Sequence, residues 1–112
     1  MSENTQPTWY ERVIAAHTAV TNAVSHGKRL RSDRYFVWQE EGGDDLIANG
    51  RHVERGQRGT TDLFTKQEFD PWKEQFENAL DAAGIAWYHN STQFEEDTGF
   101  WHYEWVWAVR HG

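Results

Sequence analysis

The chain reads as a single α+β domain: about four strands in a mostly antiparallel sheet, two helices packed on one face, and a C-terminal β-hairpin. Three observations predict it. A helical apolar period opens the chain, a second sits between Asp70-Pro71 and Gly84, and two long β-runs close it around an Asp97-Thr98-Gly99 turn. Strands and helices in this mixed order fit the simplest α+β layering, with helices on one side of a sheet.

The elements follow in order. Residues 1–7 are polar and are expected to be a disordered tail; residues 8–112 are expected to form the domain. Thr8-Trp9-Tyr10-Glu11 matches a capping box, in which hydroxyl and carboxylate satisfy free backbone N–H groups. Val13, Ala16, Val20 and Ala23 or Val24 follow at helical spacing, so a first helix is predicted from Trp9 to His26, with Gly27 as its stop. Lys28, Arg29, Arg31 and Arg34 form a basic patch at the helix exit, where cations suit the helix dipole. Tyr35 to Glu40 reads as a first strand.

Glu41 to Arg58 carries Gly42, Gly43, Gly50 and Gly56 and is predicted to be a long irregular loop. Its charge is segregated, with Glu41, Asp44 and Asp45 first and Arg51, Arg55 and Arg58 after. Loops beyond about 12–15 residues are uncommon in compact domains. Such a segment is either an arm reaching a neighbouring subunit or a surface loop. Gly59 to Lys66 is a second strand. Asp70 as N-cap and Pro71 at the first helical position then start a helix whose face is Trp72, Phe76, Ala79, Leu80 and Ala83, closed by Gly84. The final hairpin pairs 85–96 with 100–109.

Composition bounds function. The 112 residues include seven Trp, four Tyr and six Phe, so rings must supply much of the core of a chain whose mean hydropathy is only -0.91. Eighteen acidic against eleven basic residues give a formal charge of -7, which disfavours a dedicated nucleic-acid binder. There is no Cys, which removes disulfides and thiolate metal sites. The N-terminus lacks a signal-peptide layout, and no apolar run approaches the ~18 residues of a spanning segment. A soluble intracellular protein without a membrane role is expected.

Catalytic constellations are sparse. His89 and His102 lie on opposite arms of the hairpin and, with Glu104, could hold a metal, but the spacing matches no metal motif. Glu95, Glu96, Asp97 and Glu104 could supply a glycosidase pair, yet acids at a hairpin tip are ordinarily solvated. No phosphate loop or nucleophile elbow is present. No enzyme activity, metal or cofactor is expected. In the last strand, Trp101, Tyr103, Trp105, Trp107 and Val109 alternate onto one face, expected under the helices against Trp72, Phe76 and Leu80. Phe100, Val106 and Ala108 share the other face with His102 and Glu104. A half-apolar second face suggests covering by another subunit.

Taken together, Phe64-Thr65-Lys66, Asp70-Pro71, Gln93-Phe94-Glu95, Glu96-Asp97-Thr98-Gly99 and His102-Tyr103-Glu104-Trp105-Val106 resemble small proteins of the tail-morphogenesis region of long-tailed (siphovirus) bacteriophages and prophages. The resemblance covers about half the chain, from Gly59 onward. It implies a tail terminator or tail-completion protein with an α+β fold. Such proteins form a hexameric ring that caps the head-proximal end of the tail tube, stops its polymerisation and offers a surface to the neck or head connector. The implied partners are further copies of the chain, the tail tube protein and the connector, with DNA passing through the lumen without specific binding. The implied location is the virion, after assembly in the host cytoplasm. Candidate subunit-contact residues are Asp44, Asp45, Arg51, Arg55, Arg58, Phe100 and Val106. The alternatives are another neck component, such as a head-completion or stopper protein, and a small carbohydrate-binding module using exposed Trp.

Overall fold

The computed structural model describes residues 6–43, 46–48, 51–54 and 56–111, the side chains of 42–54 excepted. The elements are α1 (Trp9–Thr18), β1 (Val24–His26), β2 (Arg34–Gly43), β3 (Leu46–Ala48), β4 (Arg51–Glu54), β5 (Gly56–Thr65), α2 (Trp72–Ala82), β6 (Ala86–Glu95) and β7 (Phe100–Arg110). The main sheet has five strands in the order β1-β2-β5-β7-β6. All its pairs are antiparallel except β1 with β2. The α+β class, the two helices on one face and the C-terminal hairpin agree with the sequence expectation; the fifth strand was not anticipated. Among the described residues, no helix is long and apolar enough to cross a membrane.

That fifth strand comes out of the expected first helix. The capping box forms as anticipated: Glu11 N–H donates to Thr8 Oγ1 at 3.1 Å, and Thr8 N–H donates to Glu11 Oε1 at 2.8 Å. The helix nevertheless stops at Thr18 and does not run to His26. Thr18, Val20, Thr21, Asn22 and Val24 are all weak helix formers. The Thr21 hydroxyl instead accepts the N–H of Ala23 in a local turn at 3.0 Å. Val24–His26 then pairs with Phe36–Trp38 in parallel, and Gly27, at φ 80°, ends the strand with its N–H on the carbonyl of Trp38. An apolar spacing compatible with helix was overridden by a sheet edge that could use the same residues.

The stretch from 41 to 58, expected to be an irregular loop, is strand over its described residues. β2 continues past Glu40 through a bulge between Glu41 and Gly43, and β3 and β4 form a separate two-stranded hairpin. Ladder hydrogen bonds propagate along two paired strands, which offsets the weak strand preference of the glycines. Gln57 reinforces the continuation by donating its side-chain N–H to the carbonyl of Glu41 at 3.0 Å.

α2 begins at the Asp-Pro signal but one residue later than predicted: regular helix runs from Trp72, and Pro71 precedes it in helical backbone at φ -63° and ψ -15°. The Asp70 carboxylate accepts the N–H of Trp72 at 2.9 Å, as an N-cap does. It also receives two N–H groups from Arg34, at 2.8 and 2.5 Å, while that guanidinium lies 3.7 Å from the Trp72 ring centroid. Burial of Asp70 would raise its pKa, but the bonds from Arg34, Trp72 and Thr65 outweigh it and hold the carboxyl below its usual range. Gly84, at φ 71°, closes the helix in a Schellman arrangement, with Ile85 N–H on Leu80 O and Gly84 N–H on Asp81 O.

One core lies between the helices and the sheet. It gathers Val13 and Ala16 of α1, Phe76 and Leu80 of α2, Phe36 and Trp38 of β2, Leu63 of β5, and Tyr103, Trp105, Trp107 and Val109 of β7. The alternating aromatic face of β7 is therefore the domain's own core, as its period predicted, with Trp72, Ala79, Ala83 and Trp101 at its margin. Three indole N–H groups at the core have acceptors: Trp105 donates to Glu77 at 2.9 Å, Trp87 to Asp81 at 2.7 Å, and Trp107 to Thr61 at 2.9 Å. Gly59 sits opposite Trp107 in the ladder because nothing larger fits. A Cβ there would lie 2.4 Å from the Trp107 ring and 2.6 Å from the carbonyl of Gln39.

The core encloses one titratable side chain that sequence reading passed over. His17 is fully buried, with Nδ1 2.7 Å from Val13 O and Nε2 2.9 Å from Thr61 Oγ1. A carbonyl can only accept, so Nδ1 carries the proton and Nε2 accepts from the Thr61 hydroxyl. That hydroxyl in turn accepts from Trp107. The run Trp107 to Thr61 to His17 to Val13 is fully satisfied only with a neutral imidazole. Burial pushes the His17 pKa down to about 4, against a smaller raising effect from Val13.

Two outcomes follow. Gly59→Ala is expected to destabilise the domain by about 1–3 kcal/mol in urea unfolding, the range of overpacking a closed site. A lowered folded pKa means the unfolded chain takes up the His17 proton first. Stability should therefore fall as pH drops from 6.5 towards 4, by up to about 1.4 kcal/mol per pH unit. Unfolding midpoints across that window measure it, and His17→Phe, whatever its own cost, should show a shallower slope.

Candidate subunit-contact surfaces

The sheet face opposite the helices is where a partner could be met, and its two ends differ. At one end Tyr35, Val37 and Phe64 make a second small core with Phe100 beside them. Phe64 stacks on Tyr35 with ring centroids 5.3 Å apart, and Phe100 meets both rings edge-on. Arg29 closes this cluster from the chain segment after β1. Its guanidinium lies 4.0 Å over the Phe64 ring, bonds the Tyr35 hydroxyl and reaches Glu95 at 3.6 Å. The hydrogen bond to Tyr35 is the main reason that its pKa is raised further. Of the basic patch, Arg29 and Arg34 are thus structural clamps.

His102 lies in the middle of this face, stacked on Phe64 at 4.4 Å between centroids. Nε2 meets Asp62 at 2.7 Å and Nδ1 faces Glu95 at 3.6 Å. The hydrogen bond to Asp62 is the chief cause of a raised pKa, opposed by burial and helped by the charges of Asp62, Glu95 and Glu104. His89 is not its partner. β6 and β7 pair Glu95 with Phe100 and Gln93 with His102, then shift register between His89 and Ser91, so that His89 stands opposite Trp105. The two histidines fall on opposite faces of the sheet, and the His89/His102/Glu104 metal arrangement does not form. Among the described residues, no group of three or more His, Asp or Glu is placed to hold a metal ion. Glu104 instead accepts from Asn90 at 2.9 Å.

The other end of the face is a shallow cavity of about 390 Å³ lined by Arg58, Ala86, Tyr88, Val106 and Ala108 with the edges of Trp87 and Trp107. Tyr88 is half exposed there. Of the residues singled out from sequence, Val106 lines this cavity, and Phe100 packs in the opposite cluster. Arg58 is exposed and lies 3.8 Å from Glu41 across the β2–β5 ladder, so part of the segregated charge is paired within one subunit. Arg51 opens β4, with its side chain outside the described set; Asp44, Asp45 and Arg55 also lie outside the described residues.

Sequence reading missed a third surface. A groove of about 460 Å³ runs between α1 and the β1 edge, lined by Trp9, Tyr10, Ile14, Thr18, Asn22, Val24, Trp38 and the His26–Glu40 pair. His26 stacks on Trp38 at 4.1 Å and contacts Glu40 at 2.7 Å. That hydrogen bond is the main reason the Glu40 carboxyl sits below its ordinary range. The groove is invisible in the sequence because it needs β1, whose residues keep a helical apolar spacing.

No family model matches the chain, and no curated protein matches it. Among solved structures, a chain of the virion of a native gene transfer agent particle superposes with a TM-score of 0.50 at 12% identity. The match covers 93% of this chain and 91% of that one. At that identity the likeness establishes a common fold.

Because the folded pKa of His102 is raised, its contribution to stability is complete below pH 6.5 and is lost as pH rises through the folded value. The gap in unfolding midpoint between the parent and His102→Gln should narrow from pH 6 to pH 9. In NMR titration the His102 ring should titrate above 6.5, and the His17 ring only near 4.

Proposed function

We propose that this chain is a structural protein of a bacteriophage-type virion, and more narrowly a tail terminator or tail-completion factor that assembles as a ring at the head-proximal end of the tail tube. The observation that carries the reading is the fold shared over nearly the whole of both chains with a component of a gene transfer agent virion. The tail-morphogenesis motifs support the narrower assignment. Their residues are placed as fold determinants: Asp70 caps α2 and anchors Arg34, and Glu96 to Gly99 turn the final hairpin.

A ring requires heterologous contacts, one patch meeting a different patch on the next copy. The β3–β4 hairpin, the Val106–Tyr88 cavity and the groove beside α1 are separate surfaces on which such contacts can be built. Six copies would carry a formal charge of -42, six times -7, and an acidic lumen would let DNA pass without holding it. The carbohydrate-binding alternative loses its premise, since all seven Trp are buried or half-buried and none is left as an open stacking platform.

Native mass spectrometry and negative-stain images are expected to show a six-fold ring. The protein is expected on isolated tails that lack heads; recovery on heads alone would favour a head-completion or stopper role. Reversing the charges of Arg51, Arg55 and Arg58 together should weaken the ring, and an unchanged oligomer mass would remove the charged hairpin from the interface.

A further inference from the structure

Phe69 is the most exposed large apolar side chain among the described residues, at 85%, and its backbone is in the left-handed region at φ 56°. A bulky residue pays a conformational cost at positive φ, and glycine would not. The loop that carries it is short and held at both ends. Thr65 and Asp70 are buried, the Thr65 hydroxyl accepts Gln67 N–H at 3.1 Å, and Arg34 clamps Asp70. An aromatic ring is thus presented to solvent, in a strained conformation, from a rigid base. Rigid presentation of an apolar anchor is what a contact residue needs, because little ordering entropy remains to be lost on binding.

The same chain carries an open apolar groove of a size to accept such a ring, the 460 Å³ cleft beside α1. Its exposed wall is Tyr10 and Ile14, 45% and 38% accessible, both outside the buried Val13–Ala16–His17 stripe of α1. Phe69 does not fill its own groove. It follows the end of β5, at the level of Arg34, whereas the groove takes Trp38 and Glu40, roughly 15 Å further along β2 at the usual strand rise.

We infer that Phe69 of one copy inserts into the Tyr10–Ile14–Val24–Trp38 groove of the next. The inference rests on the ring reading above, which requires a contact between two different patches of one chain. A projecting apolar side chain and an apolar pocket elsewhere on the same surface make such a heterologous contact.

Phe69→Gly removes the ring and relieves the backbone, so the monomer should unfold no more easily than the parent. Ile14→Lys blocks the groove on an exposed helix position. Each variant alone should self-associate at least 100-fold more weakly in analytical ultracentrifugation. Mixed one to one, they should form a heterodimer and nothing larger, because only one intact knob and one intact groove remain. Parent rings that persist in Phe69→Gly would overturn the inference and leave the ring reading standing. A parent that is monomeric at all concentrations, with no heterodimer in the mixture, would overturn both. A parent that forms open filaments, abolished by either variant, would uphold the contact and remove the ring. Loss of association in both variants without heterodimer formation would place a different partner in the groove, and would equally overturn the proposal.

Discussion

The buried hydrogen-bond run from Trp107 through Thr61 and His17 to Val13 is the constraint around which the domain is arranged. It ties β7 to β5 and β5 to α1, and each group in it has one permitted role. Gly59 is bare because the Trp107 ring must lie flat across β5 to reach Thr61. α1 is drawn onto the sheet by the imidazole, which packs against Phe36 and Phe76 as well. A buried polar group left unsatisfied costs more than a hydrogen bond returns, so this run selects one packing of the aromatic core over others of equal volume.

Around that centre, charge does structural work at the margins of the core. Arg34 and Asp70 fix the start of α2, and Arg29 closes the small cluster on the opposite face. His102 with Asp62 and Glu95 holds the middle of the same face. Both faces of the sheet are therefore occupied at one end. The unoccupied apolar surface is displaced to the cavity at Val106 and Tyr88 and to the groove beside α1. Open apolar surface of this kind is where a contact with another molecule can be built.

Local chemistry made much of this legible. The capping box at Thr8 and Glu11, the Asp70 cap, the glycine stop at Gly84 and the alternating face of β7 are each set by neighbours within a few residues. Each came out where those residues place it. Of these, Asp70-Pro71 and the last strand are also among the residues that resemble tail-morphogenesis proteins.

What failed was non-local. Val24–His26 keeps a helical apolar spacing, and only the edge of β2, ten or more residues away, makes it a strand. The glycines between 41 and 58 argue for a loop, and the β2–β5 ladder carries strand as far as Gly43 and Gln57. His89 and His102 would share a face in an unbroken hairpin, and a one-residue shift between His89 and Ser91 sends them to opposite faces. His17 reads as an ordinary helix residue until Thr61, 44 positions on, donates its hydroxyl to Nε2. The sequence by itself determined the helix caps, the turn and the inward face of the last strand, because those depend on hydrogen bonds and periods confined to one segment. Tertiary structure alone decided the sheet edge, the register and the exposed surfaces, because each depends on which distant backbone is present to complete a pair.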